Sequence, residues 1–460
     1  MSKIHFEISE RKLLLRIFDV LAVLTLVFWL GRLFGVQYLN DIFTNVISVF
    51  LLVLYLLLFA SIFEMYDLRR ASRIQETLQS VFVSASIAVL AFLFTPILTP
   101  SLPGNRSQII VFYLSVLFAL LIWRTLYIKL FASQRFRKRI LLVCAQQNVA
   151  HLIEELHEVD PNIEPVGFIN TSKEIDRNST SILKMLSPNE STQTLLSLSF
   201  SEVVVAIKGK HKLNNVTYQK LIALMEAGIS IRDYTQVYEE ITNKVPLNFI
   251  GKNFYSYFPF SRSNQNKLYL FYARIFNFLI ALVLLIPTLV LIPIVFLLNF
   301  IGNRGPLFYL QERVGQNARV FRIIKFRTMV VHAEQHGPEW STKNDVRITP
   351  FGKCLRVTRI DELPQVFNVL KGEMSIIGPR PERPVYVQEL SKKIPFYEIR
   401  HLIKPGLTGW AQVKGRYASS IEEAFTKFQY DLYYIKHRSI LLDLRIMVKT
   451  ITTVLFLRGT

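Results

Sequence analysis

The chain has 460 residues, enough for two or three domains, and 51% of them are hydrophobic, which excludes a disordered or simple soluble protein. Its formal net charge of +20 favours an anionic partner, and in so apolar a chain a lipid surface or a phosphorylated substrate is preferred over nucleic acid. Its two cysteines, Cys144 and Cys354, lack the spacing of a zinc or redox motif, so we expect reduced thiols and no disulfide.

Four apolar runs predict transmembrane helices at about 13–36, 42–66, 77–98 and 108–131. Each is close to the ~20 residues that cross the hydrocarbon core of a bilayer. Basic residues cluster before the first run, between the second and third, and after the fourth, whereas the other two loops carry little beyond Arg32 and Arg106. By the positive-inside rule, both ends of this four-helix transmembrane domain, residues 1–134, are expected to be cytoplasmic. The first run is too long for a cleavable signal peptide.

Residues 135–262 have the alternating pattern of a small α/β domain. The strand-like runs RILLVCA, PVGFI and EVVVAI begin at positions 139, 165 and 202, with helical stretches between and after them. This alternation predicts a doubly wound, Rossmann-like fold. However, the first strand leads into Ala145, Gln146, Gln147 and Asn148 instead of the glycines of a dinucleotide loop. We therefore favour a structural or regulatory role over cofactor binding.

Residues 263–301 contain a further apolar segment, which starts at about 275 and is interrupted by Pro287 and Pro293. Each proline removes a backbone hydrogen bond and bends a helix. Arginines and lysines flank the segment on both sides, so both flanks are expected on the cytoplasmic face. We therefore expect a re-entrant membrane helix-hairpin that breaks at a proline, and a kinked fifth transmembrane helix is the alternative.

The last part, residues 302–460, is predicted to be a cytoplasmic, mainly α-helical monotopic domain. Two amphipathic stretches near its end, AFTKFQYDLYYIKH and SILLDLRIMVKTITTVLFL, either cover its core or lie in the membrane interface. The predicted architecture is therefore a membrane α-helical N-terminal bundle, a Rossmann-like α/β middle domain, and this helical domain with its re-entrant membrane helix.

An adjacent acid pair, Asp361 and Glu362, lies within RVTRIDELPQVFNVLKGEMSIIGPRP, which begins at Arg356. An apolar helical run follows, so Asp361 is expected near the N-cap and Pro364 in the first turn. A helix N-terminus is also an anion site. Neighbouring arginines should lower the pKa of the carboxylate and keep it ionised, as a nucleophile or a Mg²⁺ ligand requires. The pair alone fits helix capping as well as catalysis.

Candidate phosphate-binding side chains near the pair favour catalysis. Arg380 is the strongest, because Pro379 and Pro381 restrict its backbone and limit the entropy lost on binding. The glycine-rich stretch HLIKPGLTGWAQVKGR carries Gln412 and has the composition of a binding loop. The weaker candidates are Lys325, Arg327, Arg356 and Arg359. The histidines of HAEQH, which begins at 332, have a weak zinc-like spacing, and we expect no metal role for them.

Five motifs resemble those of the bacterial sugar transferase family, the polyprenyl-phosphate glycosyl-1-phosphate transferases. They are GPLFYLQERVGQN, FRIIKFRTM, RITPFGKCLR, RIDELPQVFNVLKGEMSIIGPRPE and KPGLTGWAQVKGR. The four-helix start and the glycine-poor middle domain resemble the long members of the family, which initiate exopolysaccharide, capsule or O-antigen repeat units. The resemblance implies transfer of a hexose-1-phosphate from a UDP-sugar to undecaprenyl phosphate, at the inner leaflet of the bacterial cytoplasmic membrane, with release of UMP.

The resemblance also implies roles for individual residues. Asp361 is expected to attack the sugar-bearing phosphate and form a phosphosugar-aspartyl intermediate, and Glu362 to support Mg²⁺ or a proton movement, with both acids as candidate metal ligands. Arg380 is expected to hold phosphate. A re-entrant helix broken near a proline is implied as well. Of the two prolines, we favour Pro293 as the site of the break, because of its distance from the QERVG motif. Asn277 stands where the family often has Asp, which bears on a helix-end contact.

Several questions stay open at this stage. UDP-glucose and UDP-galactose are the leading donors by analogy, and a homodimer is a fair expectation. A transporter would need polar residues inside its membrane helices, and an NAD-dependent sugar-modifying enzyme would need the missing glycine loop. The remaining alternative is a catalytically inactive membrane scaffold of a polysaccharide assembly complex.

Overall fold

The computed structural model describes residues 8–66, 74–131, 138–159, 163–171, 183–207, 213–250, 266–303, 305–331, 333, 345–415 and 420–455. The chain divides into two compact units, Met1–Val237 and Tyr238–Thr460. The first contains an apolar helical bundle followed by a parallel α/β domain. The second contains a long apolar helix and a mixed domain of helices and short strands.

The helical bundle comprises α1 (Ile8–Leu33), α2 (Gln37–Thr44), α3 (Val46–Ile62), α4 (Ile74–Leu93) and α5 (Ser107–Phe131). Helices α1, α4 and α5 each contain a span long and apolar enough to cross a membrane, as predicted for the first, third and fourth runs. Their buried interior is apolar apart from a few polar groups, among them an ion pair in which Arg124 Nη2 lies 2.6 Å from Asp19 Oδ2.

The second apolar run does not form the single helix predicted over 42–66. Helices α2 and α3 meet at an angle of 100°. Between them Asn45 is extended, with φ −119° and ψ 116°, and its side-chain oxygen accepts a hydrogen bond from the Ile47 N–H at 2.9 Å. Asn45 thus ends one helix and caps the next, a role for which asparagine is well suited. The pair still counts as a fifth candidate span if it is taken as one element.

The α/β domain is built around a five-stranded parallel sheet in the order β3-β2-β1-β4-β5. This order confirms the predicted doubly wound α/β arrangement. A 3-10 helix, Gln146–Asn148, follows β1 where a dinucleotide-binding domain has its glycine loop. The strands are β1 (Lys138–Cys144), β2 (Ile163–Asn170), β3 (Met185–Leu186), β4 (Glu202–Ala206) and β5 (Ser230–Asp233). The helices are α6 (Val149–Val159), α7 (Thr192–Ser197), α8 (Asn215–Glu226) and α9 (Tyr234–Thr242).

The second unit begins with the end of α9 and the short helix α10 (Leu247–Ile250), and continues with α11 (Lys267–Gly302), a helix of 36 residues. The backbone of α11 is helical through both Pro287 and Pro293, so the break expected at a proline is not found. The helix packs against the rest of this unit on either side of the two prolines. Ala281, before them, and Val295, after them, are buried in the cores of this unit and support the helix on both sides.

Most of the surface of α11 is apolar and exposed. Only 17% of its most apolar window is buried, and its mean hydropathy of 3.0 is the highest of the candidate spans. Large side chains such as Ile286, Leu297 and Phe300 are 67%, 67% and 79% exposed. An exposed apolar surface of this size is typical of a membrane or protein contact, and α11 is long and apolar enough to cross a membrane. The Asn277 contact left open by the sequence is present, because its side-chain oxygen accepts a hydrogen bond from the Ile376 N–H at 2.9 Å.

The rest of the second unit surrounds one main hydrophobic core with helices and two small sheets. Strands β6 (Phe308–Val314) and β7 (Val320–Phe326) form an antiparallel hairpin, and β8 (Ser375–Ile377) pairs in parallel with β9 (Gly406–Thr408). The helices are α12 (Pro350–Val357), α13 (Val366–Leu370), α14 (Pro384–Lys393), α15 (Trp410–Lys414), α16 (Ile421–His437) and α17 (Ile440–Leu455).

The two amphipathic stretches near the C-terminus form α16 and α17. Both helices contribute to the main core, through Phe428, Leu432 and Ile435 of α16 and through Leu442 and Ile446 of α17. Of the two alternatives left open by the sequence, the structure therefore supports core packing.

Candidate active site

The acid pair lies in a short 3-10 helix, Ile360–Gln365, between α12 and α13. The sequence suggested that Asp361 is the N-cap of the following helix, but the N-cap of α13 is Gln365. The residue before the 3-10 helix, Arg359, has a left-handed backbone with φ 60°. The Glu362 N–H donates a hydrogen bond to the Arg359 carbonyl at 3.3 Å. A left-handed non-glycine residue is uncommon and is enriched at functional sites, where surrounding contacts hold the strain. It turns the chain so that both acids lie within one helical turn.

Asn368 connects the helices of the acid pair to strand β7. Its side chain is fully buried, accepts a hydrogen bond from the Ile324 N–H at 3.0 Å and donates to the Arg322 carbonyl at 2.8 Å. Because α13 continues directly from the 3-10 helix, this contact fixes the acid pair beside the strand that carries Lys325. Sequence reasoning did not identify Asn368, since nothing in VFNVL distinguishes it from a surface residue.

Glu362 is surrounded by three cationic side chains. Its Oε1 lies 3.2 Å from both Lys325 Nζ and Arg380 Nη2, and its Oε2 lies 3.4 Å from Arg359 Nη1. Burial alone would raise the pKa of Glu362, but the charges of Lys325, Arg380 and Arg359 outweigh burial and hold that pKa well below its usual range. Glu362 is therefore a fixed carboxylate that holds three cations together.

Asp361 has the opposite environment. It is 8% exposed, and its carboxylate makes no hydrogen bond or ion pair with any described residue. Burial and the neighbouring charge of Glu362 raise its pKa to about 6, against the opposing charges of Lys325, Arg356 and Arg359. The expectation that arginines lower the pKa of Asp361 is wrong; the lowered pKa belongs to Glu362. A carboxylate that is buried, unpaired and more basic than usual can act as a nucleophile.

A small, shallow pocket that is open to solvent lies beside Glu362. The residues that line it are Arg313, Ile323, Lys325, Glu362, Gln365, Arg380, Pro381, Gly406 and Leu407. Among these lining residues, the cations Arg313, Lys325 and Arg380 outnumber the single carboxylate of Glu362. The resulting positive charge of the pocket suits a diphosphate. Arg380 is the most accessible of the cations around Glu362, with its side chain 35% exposed, so it can turn toward a ligand at small cost.

Arg313 is a pocket residue that sequence reasoning missed. Its Nη1 donates to the Pro381 carbonyl at 3.0 Å and its Nη2 to Gln311 Oε1 at 2.5 Å, while its buried Nε has no hydrogen-bond partner among the described residues. Burial lowers the pKa of the guanidinium, with the charges of Arg380 and Arg383 adding to the effect of burial and Glu382 opposing it. The QERVG motif contained the signal, but the motif alone does not show that Arg313 lies in a strand or which face of the strand it occupies.

The other predicted residues have separate positions. Arg356 donates from Nε to Thr328 Oγ1 at 2.9 Å and acts on Asp361 through its charge. Arg327 donates to the Pro306 carbonyl at 3.1 Å, lies over the Tyr309 ring, and makes no ion pair with either acid. Pro381 lines the pocket, whereas Pro379 and Gln412 do not. Gln412 instead donates to the carbonyl of a pocket residue, Leu407, at 3.1 Å.

The acid pair fits Mg²⁺ only together with a phosphorylated ligand. Within the described ranges, no group of three or more His, Cys, Asp or Glu side chains is placed to hold a metal. Mg²⁺ is commonly held by one or two carboxylates plus substrate phosphates and water. Asp361 has free oxygens for such a role, whereas Glu362 would first have to lose a cation to the phosphates. His332 and His336 lie outside the described residues.

Comparison with known proteins points in the same direction. The profile of the family described as "Bacterial sugar transferase" matches residues 268–457, which include α11 and the whole candidate site. A UDP-N-acetylgalactosamine-undecaprenyl-phosphate N-acetylgalactosaminephosphotransferase of Aeromonas hydrophila is 41% identical over 236 residues, covering 50% of this chain and 53% of that protein. An uncharacterized sugar transferase of Bacillus subtilis is 37% identical over 190 residues, covering 40% of this chain and 88% of that protein.

A third similar protein is a UDP-glucose:undecaprenyl-phosphate glucose-1-phosphate transferase of Xanthomonas campestris. It is 48% identical over 158 residues, which are 34% of this chain and 32% of that protein. The chain therefore spans about half of the Aeromonas protein and a third of the Xanthomonas protein. The residues matched by the family profile contain the acid pair, the pocket and nearly all of the long apolar helix.

Proposed function

The chain belongs to the bacterial sugar transferase family, and from this premise we propose that it transfers a hexose-1-phosphate from a UDP-sugar to undecaprenyl phosphate. The observation that carries the proposal is the contrast within the acid pair. Asp361 is unpaired, while Glu362 holds Lys325, Arg359 and Arg380 beside an open, positively charged pocket. Phosphoryl transfer needs this combination of an available nucleophile and cations that stabilise the charge of the transferring group.

The proposed reaction has two displacement steps at phosphorus. In the first, an oxygen of the Asp361 carboxylate attacks the phosphorus that bears the sugar, the bond from that phosphorus to the UMP oxygen breaks, and UMP leaves with the bonding electrons. In the second, a phosphate oxygen of the lipid attacks the phosphosugar-aspartyl intermediate and Asp361 leaves as a carboxylate. Arg380, as the most accessible cation, would turn from Glu362 to the diphosphate, while Lys325 and Arg359 keep Glu362 in place.

Mg²⁺ would be held by the diphosphate together with Asp361 or Glu362. When bound, it would neutralise phosphate charge and make UMP a better leaving group. The donor is proposed to be a UDP-hexose. The names of similar proteins refer to N-acetylgalactosamine, glucose and galactose, so all three belong in a donor panel.

We also propose that the reaction takes place at the cytoplasmic face of the inner membrane, with the exposed apolar surface of α11 embedded in the inner leaflet. Two points along α11 contact the same domain, Asn277 in its first third, which accepts from the Ile376 N–H at 2.9 Å, and the C-cap residue Asn303, which donates to the Arg327 carbonyl at 2.8 Å. Contacts of this kind support placement of both ends on one side of the membrane. Such a helix would bring a water-facing phosphate pocket against the lipid headgroups, where the acceptor phosphate lies.

The test is turnover by the purified full chain with radiolabelled UDP-sugars, Mg²⁺ and undecaprenyl phosphate. Wild type is expected to form a lipid-linked sugar phosphate with at least one donor, and Asp361→Asn to lose turnover by about 10³-fold or more. Asp443→Asn is the matched control, because Asp443 is a buried carboxylate of the same unit that accepts hydrogen bonds from Tyr269 and Tyr434, outside the pocket. A folded wild type that gives no product with any donor would favour the inactive scaffold.

A further inference from the structure

Arg400, in the 3-10 helix Tyr397–Leu402, is a buried arginine that bonds the backbone of the Pro-Arg-Pro loop. Its side chain is 6% exposed. Its Nη2 donates to the Arg380 carbonyl at 2.9 Å and to Asp431 Oδ2 at 2.9 Å, and its Nη1 donates to the Tyr397 hydroxyl. The guanidinium thus joins the backbone of the accessible pocket cation to a buried carboxylate on α16.

The loop that carries Arg380 is held through four consecutive carbonyl groups. The Pro379 carbonyl accepts from the Gly406 N–H at 2.8 Å, and the Arg380 carbonyl from the Arg400 guanidinium at 2.9 Å. The Pro381 carbonyl accepts from the Arg313 guanidinium at 3.0 Å, and the Glu382 carbonyl from the Val314 N–H at 2.9 Å. Prolines have no N–H group, so the loop has few donors of its own with which to bond its surroundings. Its geometry therefore depends on what donates to these carbonyls.

The carbonyl of Arg380 is the one most directly linked to the direction of the Arg380 side chain. Rotation of the peptide group between Arg380 and Pro381 would move that side chain relative to Glu362, which lies 3.2 Å from it. The hydrogen bond from Arg400 to that carbonyl opposes this rotation, and Arg400 is bonded in turn to Asp431, which is 2% exposed and belongs to the core-packed helix α16. Misplacement of a substrate-positioning group by about 1 Å can cost roughly 10²-fold in rate.

We propose that the buried Arg400–Asp431 ion pair positions Arg380 for binding of the sugar-nucleotide diphosphate, by fixing the backbone carbonyl of Arg380. The proposal rests on the function proposed above. Arg400 is a positioning residue, since its guanidinium does not line the pocket and reaches the ligand only through Arg380.

The test compares Arg400→Met, Arg400→Lys and the double variant Arg400→Met/Asp431→Leu in the full chain. The double variant removes both charges, so no unpaired charge is left buried and the fold has a better chance of surviving. Both Met variants are expected to lower kcat/KM for the UDP-sugar by about 10–100-fold. The KM for undecaprenyl phosphate should stay within about twofold of wild type, because the acceptor is expected to bind after UMP has left. Arg400→Lys should recover part of the loss, since an ammonium can still donate to the Arg380 carbonyl.

A second measurement separates this proposal from the function on which it rests. The measurement is hydrogen–deuterium exchange of the peptide spanning residues 379–384, in which only Arg380, Glu382 and Arg383 have backbone amide hydrogens. We expect this exchange to be faster than in wild type in both Met variants, and unchanged in Asp443→Asn. If wild type lacks turnover, the proposed function fails and the exchange result still decides whether Arg400 fixes the loop. Folded Met variants with unchanged exchange, or with kcat/KM within twofold of wild type, would overturn the positioning role.

Discussion

Asp361 and Glu362 are neighbours in the sequence with opposite electrostatic environments. The same cations that hold the pKa of Glu362 low leave Asp361 without an ion pair, and burial then raises the pKa of Asp361 to about 6. A single carboxylate could not both fix three cations and remain available for attack. The pair divides these two tasks between adjacent residues.

Substitution of each acid by its amide should therefore change stability in opposite directions. Asp361→Asn removes a desolvated, unpaired carboxylate, so the apparent melting temperature in detergent should rise, by roughly 2–4 °C for each kcal/mol gained. Glu362→Gln leaves cations buried without their partner and should destabilise by about 3–5 kcal/mol. Because the pKa of Glu362 is lowered in the folded state, its contribution is complete at neutral pH and is lost as the pH falls below the ordinary value of 4.5. Equal shifts of the same sign in the two variants would contradict this division.

The pH dependence of turnover should report the ionisation of Asp361. An acid whose pKa is raised to about 6 is charged above that pH and protonated below it, so kcat/KM should fall about tenfold per pH unit at lower pH. Burial also raises the pKa of Asp431 to about 6, so the profile must be repeated in Asp431→Asn. The fall should persist there at the same pH. A flat profile in both proteins between pH 5 and 7 would contradict the assignment of Asp361.

Hydrophobic periodicity predicted the apolar helices and strands β1, β2 and β4 of the parallel sheet, but not strands β3, β5 and β6 to β9. The bend at Asn45 and the unbroken course of α11 through Pro287 and Pro293 were not predicted either. The residue that caps the bend, Asn45, lies inside an apolar run that predicts one helix, and the two prolines predict a break that α11 does not have. Among site residues, the motif identified Asp361, Glu362 and Arg380. It could not tell Lys325 from Arg327, because only the folded position of β7 decides which cation reaches Glu362.

The pairing of β8 with β9 depends on close backbone approach at glycines, and this gives a prediction for the element. A Cβ on Gly406 would lie 2.1 Å from the Gly378 nitrogen and 2.4 Å from the Thr408 oxygen. Gly406→Ala should push β9 from β8, displace the adjoining Pro379 and Arg380, and destabilise by about 3 kcal/mol. Gly104→Ala is the control, because a Cβ there meets nothing within 4 Å. Wild-type melting temperature and turnover in Gly406→Ala would show that the approach is not required.

At the scale of the whole molecule, the proposal requires both ends of α11 to lie on one side of the membrane. Single cysteines at Lys267 and at Val320, which is 54% exposed, would test this in a chain whose native Cys144 and Cys354 are replaced by serine. A membrane-impermeant maleimide should label both positions in inverted vesicles and neither in right-side-out vesicles. Labelling of the two positions from opposite sides would make α11 a transmembrane helix.

Trapping of the covalent intermediate would show whether Asp361 is the nucleophile. Wild type incubated with a UDP-sugar donor and Mg²⁺, without lipid acceptor, and quenched in acid should carry a hexose-phosphate mass on the peptide that contains Asp361. Addition of undecaprenyl phosphate before the quench should remove it, and Asp361→Asn should never acquire it. Active enzyme that carries no adduct, or an adduct that persists in Asp361→Asn, would contradict the account.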